Sequence, residues 1–145
     1  MKLQKIVNHL QKLHPKEIDL SLDRILNLCS KLGNPQDKIK AITVVGTNGK
    51  YSTIQAMFAI LKEANINCNI YTSPHIKKIN ERFVFNNEEL NDEDLASLFE
   101  EIETANDNNP ITFFEILTAA FFLKAAKYQD NINLIETGLF HRFDA

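Results

Sequence analysis

A short segment of the chain combines two glycines, a lysine and small polar side chains, and it reads Val45-Gly46-Thr47-Asn48-Gly49-Lys50-Tyr51-Ser52. Glycine adopts backbone conformations that other residues resist, so successive backbone N–H groups can converge on one anion. A helix predicted to start near Ser52 adds its partial positive charge, and the ammonium group of Lys50 adds a full one. The segment therefore predicts a phosphate-binding loop.

The loop departs in two places from the usual phosphate-loop pattern, in which a first glycine precedes a Gly-Lys pair that Ser or Thr follows. Val44 occupies the position of the first glycine, and Tyr51 occupies the position of the Ser or Thr. The side chain of Tyr51 either crowds the phosphates or points outward. A plain strand-to-helix turn with an exposed lysine is the alternative interpretation of this segment.

A carboxylate closes the last apolar run of the sequence, Ile132–Glu136. In a parallel sheet the carboxyl ends of the strands lie along one edge, and ligands bind there. Glu136 is then placed beside the predicted loop, where a carboxylate holds Mg²⁺ directly or through water. The alternative is that Glu136 is a solvated residue at the rim of the sheet.

The spacing of apolar residues predicts the elements that position this site. Helical spacing appears in two stretches before Gly33, and short β-branched runs follow it. The predicted helices then cover about 53–64, 91–102 and 112–127, and the predicted strands cover 41–45, 68–71, 81–85 and 132–136. This alternation predicts an α/β fold, a parallel sheet with flanking helices. We expect a single domain, with residues 1–40 as a helical lead-in and residues 41–145 as the core.

Composition excludes several classes of protein. With 145 residues, of which 44% are hydrophobic, the chain has the size and composition of one folded domain. A formal net charge of −3 argues against a nucleic-acid partner held by bulk charge. No apolar run reaches the ~18 residues of a membrane span, and the amphipathic start is unlike a signal peptide. We therefore expect a cytoplasmic chain with no membrane partner. The two cysteines predict buried thiols, and the four histidines lack a metal-binding spacing.

Several motifs, in order along the chain, resemble those of the Mur ligase superfamily, and most closely those of folylpolyglutamate synthase and bifunctional dihydrofolate synthase. The apolar strand with GTNGK after it resembles the ATP site of the superfamily. The other matching motifs are Leu32-Gly33-Asn34-Pro35, Tyr71-Thr72-Ser73-Pro74-His75, Asn80-Glu81-Arg82, Ile111-Thr112-Phe113-Phe114-Glu115 and Glu136-Thr137-Gly138-Leu139. The chain is thus similar to the N-terminal part of the family's ATPase domain, which has a P-loop-type fold.

The resemblance implies an ATP-dependent amide ligase. Such enzymes phosphorylate a carboxylate of folate or pteroate with ATP, and the amino group of L-glutamate then attacks the acyl phosphate. The resemblance implies that ATP binds at Asn48, Gly49, Lys50, Tyr51 and Ser52, and that Mg²⁺ binds at Ser73 and Glu136. It implies a folate or pteroate site at Thr72, Pro74, His75, Thr112, Phe113, Phe114 and Arg142, where aromatic faces suit a flat ring. Because Phe113 and Phe114 are adjacent, at least one of them is expected in the core, and Arg82 is interpreted as a structural ion-pair partner.

Three features depart from the family pattern. Tyr51 stands where the family usually has glycine, and Phe140-His141 stands where it has Gly-Gly before the arginine. The chain also stops within a family motif, so we expect the C-terminal glutamate-binding domain and a later metal ligand to be absent. We therefore expect a chain that is inactive alone. We also expect self-association through a sheet edge left exposed beyond Ile132–Glu136.

Two other classes of function stay open at this point. The first is a non-catalytic pseudoenzyme that binds nucleotide or folate without turnover, which Tyr51, Phe140 and His141 favour. The second is an unrelated P-loop NTPase or kinase. This second class would leave the motifs at Tyr71–His75 and Ile111–Glu115 without a common explanation.

Overall fold

The computed structural model describes residues 2–14 and 21–138 of the chain. Within these ranges the helices are α1 (Lys2–Leu10), α2 (Asp23–Lys31), α3 (Lys50–Glu63), α4 (Asp92–Asn106) and α5 (Phe113–Ala125). The strands are β1 (Lys40–Val44), β2 (Cys68–Tyr71), β3 (Phe83–Phe85), β4 (Glu88–Glu89) and β5 (Ile132–Glu136), and 3₁₀ turns cover Gln11–Leu13, Pro35–Lys38 and Ile79–Arg82. The predicted helices are confirmed, although α3 starts at Lys50 rather than near Thr53.

The described strands form one sheet in the order β1-β5-β2-β3-β4. β5 runs parallel to both β1 and β2, with Val44 opposite Glu136 and Tyr71 opposite Ile135. The predicted α/β fold, a parallel sheet with flanking helices, is confirmed for these three strands. β3 and β4 run antiparallel to their neighbours, which makes the sheet mixed. The chain between β2 and β3 is too short for a helical crossover, so β3 returns in the opposite direction.

A two-residue hairpin joins β3 to β4. Its residues, Asn86 and Asn87, have φ angles of 52° and 70°, and asparagine tolerates this left-handed region better than most residues. The strand predicted from Glu81 is shorter than expected, because Ile79–Arg82 forms a 3₁₀ turn and β3 begins only at Phe83.

β5 lies in the middle of the sheet, between β1 and β2. The prediction of an exposed sheet edge beside Ile132–Glu136 is therefore wrong. α5 carries the chain back across the sheet before β5 begins, so this strand pairs on both sides. Among the described strands, β1 and β4 form the edges, and the side chains of β1 are largely exposed.

The two faces of the sheet are covered very unequally. On one face, which we call the closed face, rings from α4 and α5 contact the side chains of Tyr71, Phe83 and Phe85, and α1 and α2 pack against these two helices. The ring of Phe121 from α5 stacks on that of Tyr71, with 5.2 Å between ring centroids. Among the fully buried side chains on this face are Leu10, Phe83, Leu95, Phe99, Ile102, Ile116, Leu117 and Phe121.

On the other face, which we call the open face, α3 packs mainly on β5 and also contacts β1 and β2, while most side chains of β1 stay exposed. The buried residues of this smaller core are Ile54, Cys68, Ile70 and Leu134. Large apolar side chains remain exposed around it: Ile42 is 42% exposed, Val45 59% and Ile60 70%. The open face therefore presents apolar surface that the described residues do not cover.

The two cysteines, Cys29 and Cys68, are free and buried, as predicted. Burial raises the pKa of both thiols, so neither is an activated nucleophile. Within the described ranges, no helix has the length and apolar character needed to cross a membrane.

Candidate functional site

The predicted phosphate loop connects β1 to the first turn of α3. Gly46 has a φ of +145° and Gly49 a φ of +75°, backbone conformations that L side chains rarely adopt. The hydroxyl of Thr53 donates to the carbonyl oxygen of Gly49 over 2.8 Å and so fixes the helix start. Lys50 Nζ donates to the carbonyl oxygen of Thr137 over 2.7 Å, which ties the loop to the end of β5. The loop thus has the backbone geometry and the cation that phosphate binding needs.

Tyr51 lies in the first turn of α3, and its side chain is 59% exposed. Of the two orientations expected for this ring, the structure has the outward one. Asn48 and Ser52 are also exposed. The first turn of α3 therefore begins with two exposed polar side chains, Tyr51 and Ser52.

The loop, Glu136 and Ser73 meet at one edge of the sheet. Glu136 ends β5 opposite Val44, is only 8% exposed, and its Oε2 accepts from the backbone N–H of Ser73 over 3.2 Å. The predicted proximity of Glu136 and Ser73 to the loop is thus confirmed, while their role as metal ligands stays a prediction.

The donor set at this edge can be tested against the chemistry of Mg²⁺. The described residues contain no group of three or more His, Cys, Asp or Glu side chains that could hold a metal ion. One carboxylate with nearby hydroxyls fits Mg²⁺ well, because this ion keeps several waters and uses few protein ligands beside substrate phosphates.

The segment after β2 is held in place by backbone contacts. The N–H of Thr72 donates to the carbonyl oxygen of Arg82 over 3.3 Å, and the Ser73–Pro74 peptide bond is cis. The Glu81 carboxylate accepts from the N–H groups of the three consecutive residues 76–78 over 2.8–2.9 Å. These bonds hold the pKa of Glu81 below its ordinary value. Glu81 thereby shapes the loop that carries Pro74 and His75.

His75 and Arg82 form a hydrogen-bonded pair beside this segment. Arg82 Nε donates to His75 Nδ1 over 2.8 Å, so Nδ1 carries no proton. Burial and the Arg82 charge lower the pKa of His75. Arg82 is 6% exposed, and within the described ranges it has no carboxylate at ion-pair distance. The interpretation of Arg82 as a structural ion-pair partner is therefore wrong.

The start of α5 is strongly anchored. Thr112 and Glu115 form a reciprocal capping box, in which each side chain accepts the other residue's backbone N–H. Arg24 from α2 makes a bidentate ion pair with the buried Glu115 carboxylate, with N–O distances of 2.9 and 3.0 Å. The hydroxyl and the backbone N–H of Thr112 are therefore both engaged in capping, which leaves its methyl group to border a ligand.

Phe113 and Phe114 point in different directions from this anchored turn. Phe113 is partly buried against the closed-face core, so the expectation that one of the pair packs in the core is confirmed. Phe114 is 57% exposed, and its ring centroid lies 5.6 Å from Arg82 Cζ, within cation–π range. Phe113 and His75 also line a cleft of about 340 Å³ between α1 and the 75–80 segment.

One residue of the predicted site lies outside the described ranges. Arg142 is the predicted site residue concerned, and the two departures from the family pattern, Phe140 and His141, lie there too. Two residues inside the described ranges were not assigned to the site from the sequence. Glu81 and Arg82 stand in the matched Asn80-Glu81-Arg82 motif, but only the fold shows the backbone and side-chain contacts that they make.

The fold is the α/β fold of Mur ligase-like enzymes, since solved folylpolyglutamate synthase structures superpose on the chain with TM-scores between 0.85 and 0.90. One is a bifunctional folylpolyglutamate synthase/dihydrofolate synthase from Yersinia pestis complexed with AMPPNP and Mn ion, at TM-score 0.90 and 30% identity, covering 99% of this chain and 35% of that one. Another, from Escherichia coli, is in complex with DHPP and ADP, at TM-score 0.86 and 33% identity, covering 99% and 34%.

The relatives by sequence carry the same names. The chain is 35% identical over 141 residues to the dihydrofolate synthase/folylpolyglutamate synthase of Escherichia coli, which covers 96% of this chain and 33% of that protein. No family model matches the chain. The resemblance predicted from the motifs is thus confirmed, and the chain spans about a third of the length of the curated relatives it matches.

Proposed function

We propose that the chain supplies the nucleotide-binding and folate-facing part of an ATP-dependent amide ligase. In this proposal, ATP phosphorylates a carboxylate of folate or pteroate, and the amino group of L-glutamate displaces the phosphate. The observation that carries the proposal is the meeting of the glycine loop, Glu136 and Ser73 at one sheet edge. Support also comes from the relatives, which are named as such synthases and include structures with ADP or AMPPNP and Mn ion.

The nucleotide end of the site uses the residues of the loop. The backbone N–H groups of Asn48, Gly49 and Tyr51 surround the phosphates, the Ser52 hydroxyl donates to them, and Lys50 balances their charge. Glu136 and Ser73 would hold Mg²⁺, which would supply further positive charge for the phosphate oxygens. In that state Lys50 exchanges its bond with the Thr137 carbonyl for one with phosphate.

The folate end of the site uses the turns after β2 and before α5. Thr72, Pro74 and His75 border one side of the substrate, and Thr112, Phe113 and Phe114 border the other, with Arg142 as a further predicted contact. The exposed face of Phe114 suits a flat aromatic ring. Because Glu115 and Arg24 anchor the first turn of α5, this end is ordered before substrate arrives.

We also propose that these 145 residues bind ligands but do not complete the ligation by themselves. They span about a third of the length of the relatives, and amide formation requires the acyl phosphate and the amine to be aligned closely. Residues 1–40 would serve as the helical lead-in and residues 41–145 as the catalytic core region of a single domain. The open face is the surface through which further protein, including a second copy, would associate.

The test is a comparison of ATP hydrolysis and glutamate ligation by the 145-residue chain. ATP, Mg²⁺ and L-glutamate are supplied with and without pteroate, and mass spectrometry follows glutamylated product. We expect nucleotide and pteroate to bind by calorimetry without glutamylated product, whereas that product would overturn the proposed inactivity. Hydrolysis that ignores pteroate would favour an unrelated NTPase or kinase. A pseudoenzyme would be favoured if the chain, joined to the remaining two-thirds of a relative, still bound nucleotide and pteroate but formed no glutamylated product.

A further inference from the structure

Arg82 is an unusual residue in this fold, because among the described residues no carboxylate lies at ion-pair distance from its buried guanidinium group. Its side chain is 6% exposed, and among the described residues its Nη1 atom is buried and has no hydrogen-bond partner. Its hydrogen bond is to the unprotonated nitrogen of His75, an uncharged group. Buried guanidinium groups are normally paired with carboxylates or phosphates, because leaving them unpaired is costly. An orphaned group of this kind calls for an explanation.

The backbone fixes Arg82 between the two ends of the proposed site. The carbonyl oxygen of Arg82 accepts from the N–H of Thr72. Ser73, which follows Thr72 in the chain, donates its N–H to Glu136. Its side chain lies 5.6 Å from the ring centroid of Phe114. The guanidinium group therefore lies against the aromatic ring at the substrate end, and the Arg82 backbone is bonded to the segment that contacts the Glu136 carboxylate at the nucleotide end.

We propose that Arg82 receives the carboxylate of the substrate that the ligase phosphorylates. The substrate class is a flat aromatic body that ends in a carboxylate, of which pteroate is the simplest example within the proposed function. Its aromatic part would lie along Phe114, and its carboxylate would accept the hydrogen bond that the buried Nη1 atom of Arg82 lacks. This assignment rests on the proposed function and deepens it.

The chemistry of the guanidinium group supports this assignment. Nε is already engaged by His75, so the edge formed by Nη1 and Nη2 is the one that remains for a two-point contact with a carboxylate. Burial lowers the pKa of Arg82, while Tyr71 and Glu136 raise it, yet an arginine stays protonated at neutral pH. The Phe114 ring lies over the guanidinium and is more than half exposed, so it can move aside when the carboxylate enters.

Binding of pteroate and of its methyl ester to the unmodified chain is the decisive experiment. The ester keeps the aromatic body and removes the negative charge, so the ratio of the two affinities measures recognition of the carboxylate. We expect the chain to prefer pteroate by about tenfold or more, as for hydrogen bonds to charged groups. In Arg82→Gln the ratio should fall to within about twofold, and in Arg82→Lys it should be intermediate because the charge remains without the planar fork.

Lys77→Gln is the control variant, because it removes one positive charge from the same loop and leaves the guanidinium in place. It should keep the preference for pteroate, and circular dichroism checks that each variant is folded. Equal binding of pteroate and ester by the unmodified chain overturns the proposal for Arg82, whether or not any variant folds. A folded Arg82→Gln that keeps the full preference overturns it as well. Failure to bind either Mg-ATP or pteroate contradicts the proposed function itself.

Discussion

The closed and open faces of the sheet differ in what they position. The closed face is covered by a four-helix layer that shares one core with the sheet, and the Arg24–Glu115 pair anchors the start of α5 in it. The open face packs one helix on a core of four buried residues, and the glycine loop connects its strand β1 to its helix α3. The candidate substrate end is therefore built on the rigid side of the molecule. The candidate nucleotide end is built on the side that has fewer buried contacts.

The two ends of the site therefore differ in how far they depend on the rest of the protein. Local stability follows the density of buried apolar contacts, so segments with few of them open most easily. We infer that the substrate end keeps its shape in these 145 residues, whereas the loop and α3 gain order when further surface covers the open face. The predictions below test this contrast.

The largest expected effect is on stability. Phe121 is fully buried and stacks on Tyr71 and Phe85, so Phe121→Ala should lower the free energy of unfolding by about 3–5 kcal/mol. Ile60→Ala on the open face should change it by less than about 0.5 kcal/mol, since that side chain is 70% exposed. Urea unfolding followed by circular dichroism measures both. Comparable losses in the two variants would contradict the contrast between the faces.

The next effect is on nucleotide binding. Lys50→Ala should weaken binding of Mg-ATP by about 1.5–3 kcal/mol, because a charge-assisted contact to phosphate is lost. Tyr51→Gly should change the affinity by no more than about twofold, because its ring points to solvent and the glycine costs only about 1 kcal/mol of helix stability. Calorimetric titration measures both variants. If Lys50→Ala binds like the unmodified chain, the loop is not a nucleotide site.

The third effect is on self-association, which the exposed apolar residues of the open face lead us to expect. Ile42→Lys places a charge on the edge strand β1 and should weaken dimer formation by about tenfold or more. Leu26→Lys is the matched control, since Leu26 is an apolar side chain of similar exposure that lies on α2, away from the open face. Sedimentation over a wide concentration range compares them. A chain that stays monomeric throughout, or an equal effect of both variants, would count against the open face as the interface.

Much of the fold follows from local pattern. The helices and the strands β1, β2 and β5 have the apolar spacing of such elements, and Gly46 and Gly49 mark the loop between β1 and α3. The antiparallel β3–β4 hairpin and the central place of β5 could not be predicted in this way. They depend on which strands pair across long stretches of chain, and a one-dimensional pattern does not carry that information.

The candidate site likewise contains residues that the sequence pattern places correctly and residues whose role only the folded structure shows. Glu136 and Ser73 could be placed beside the loop because strand ends share one edge in a parallel sheet. The role of Arg82 could not be predicted, because it depends on the buried Nη1 atom that has no hydrogen-bond partner among the described residues, and only the packed structure shows this. The Arg24–Glu115 pair joins residues that are 91 positions apart, so no local spacing predicts it.

The smallest effect concerns the loop between the two ends of the site. Three backbone N–H groups lower the pKa of Glu81 below its ordinary value of 4.5. Between the lowered pKa of the folded chain and pH 4.5, the folded chain binds fewer protons than the unfolded chain. The contribution of Glu81 to the free energy of unfolding is therefore complete above pH 4.5 and is lost as the pH falls through the lower pKa of the folded chain. Glu81→Gln removes this charge at every pH, and we expect faster amide hydrogen exchange at Ile76, Lys77 and Lys78 near neutral pH. Amides in α5 should exchange as in the unmodified chain, because the closed face does not depend on this carboxylate. Unchanged exchange at the three loop amides would show that the loop keeps its shape without Glu81.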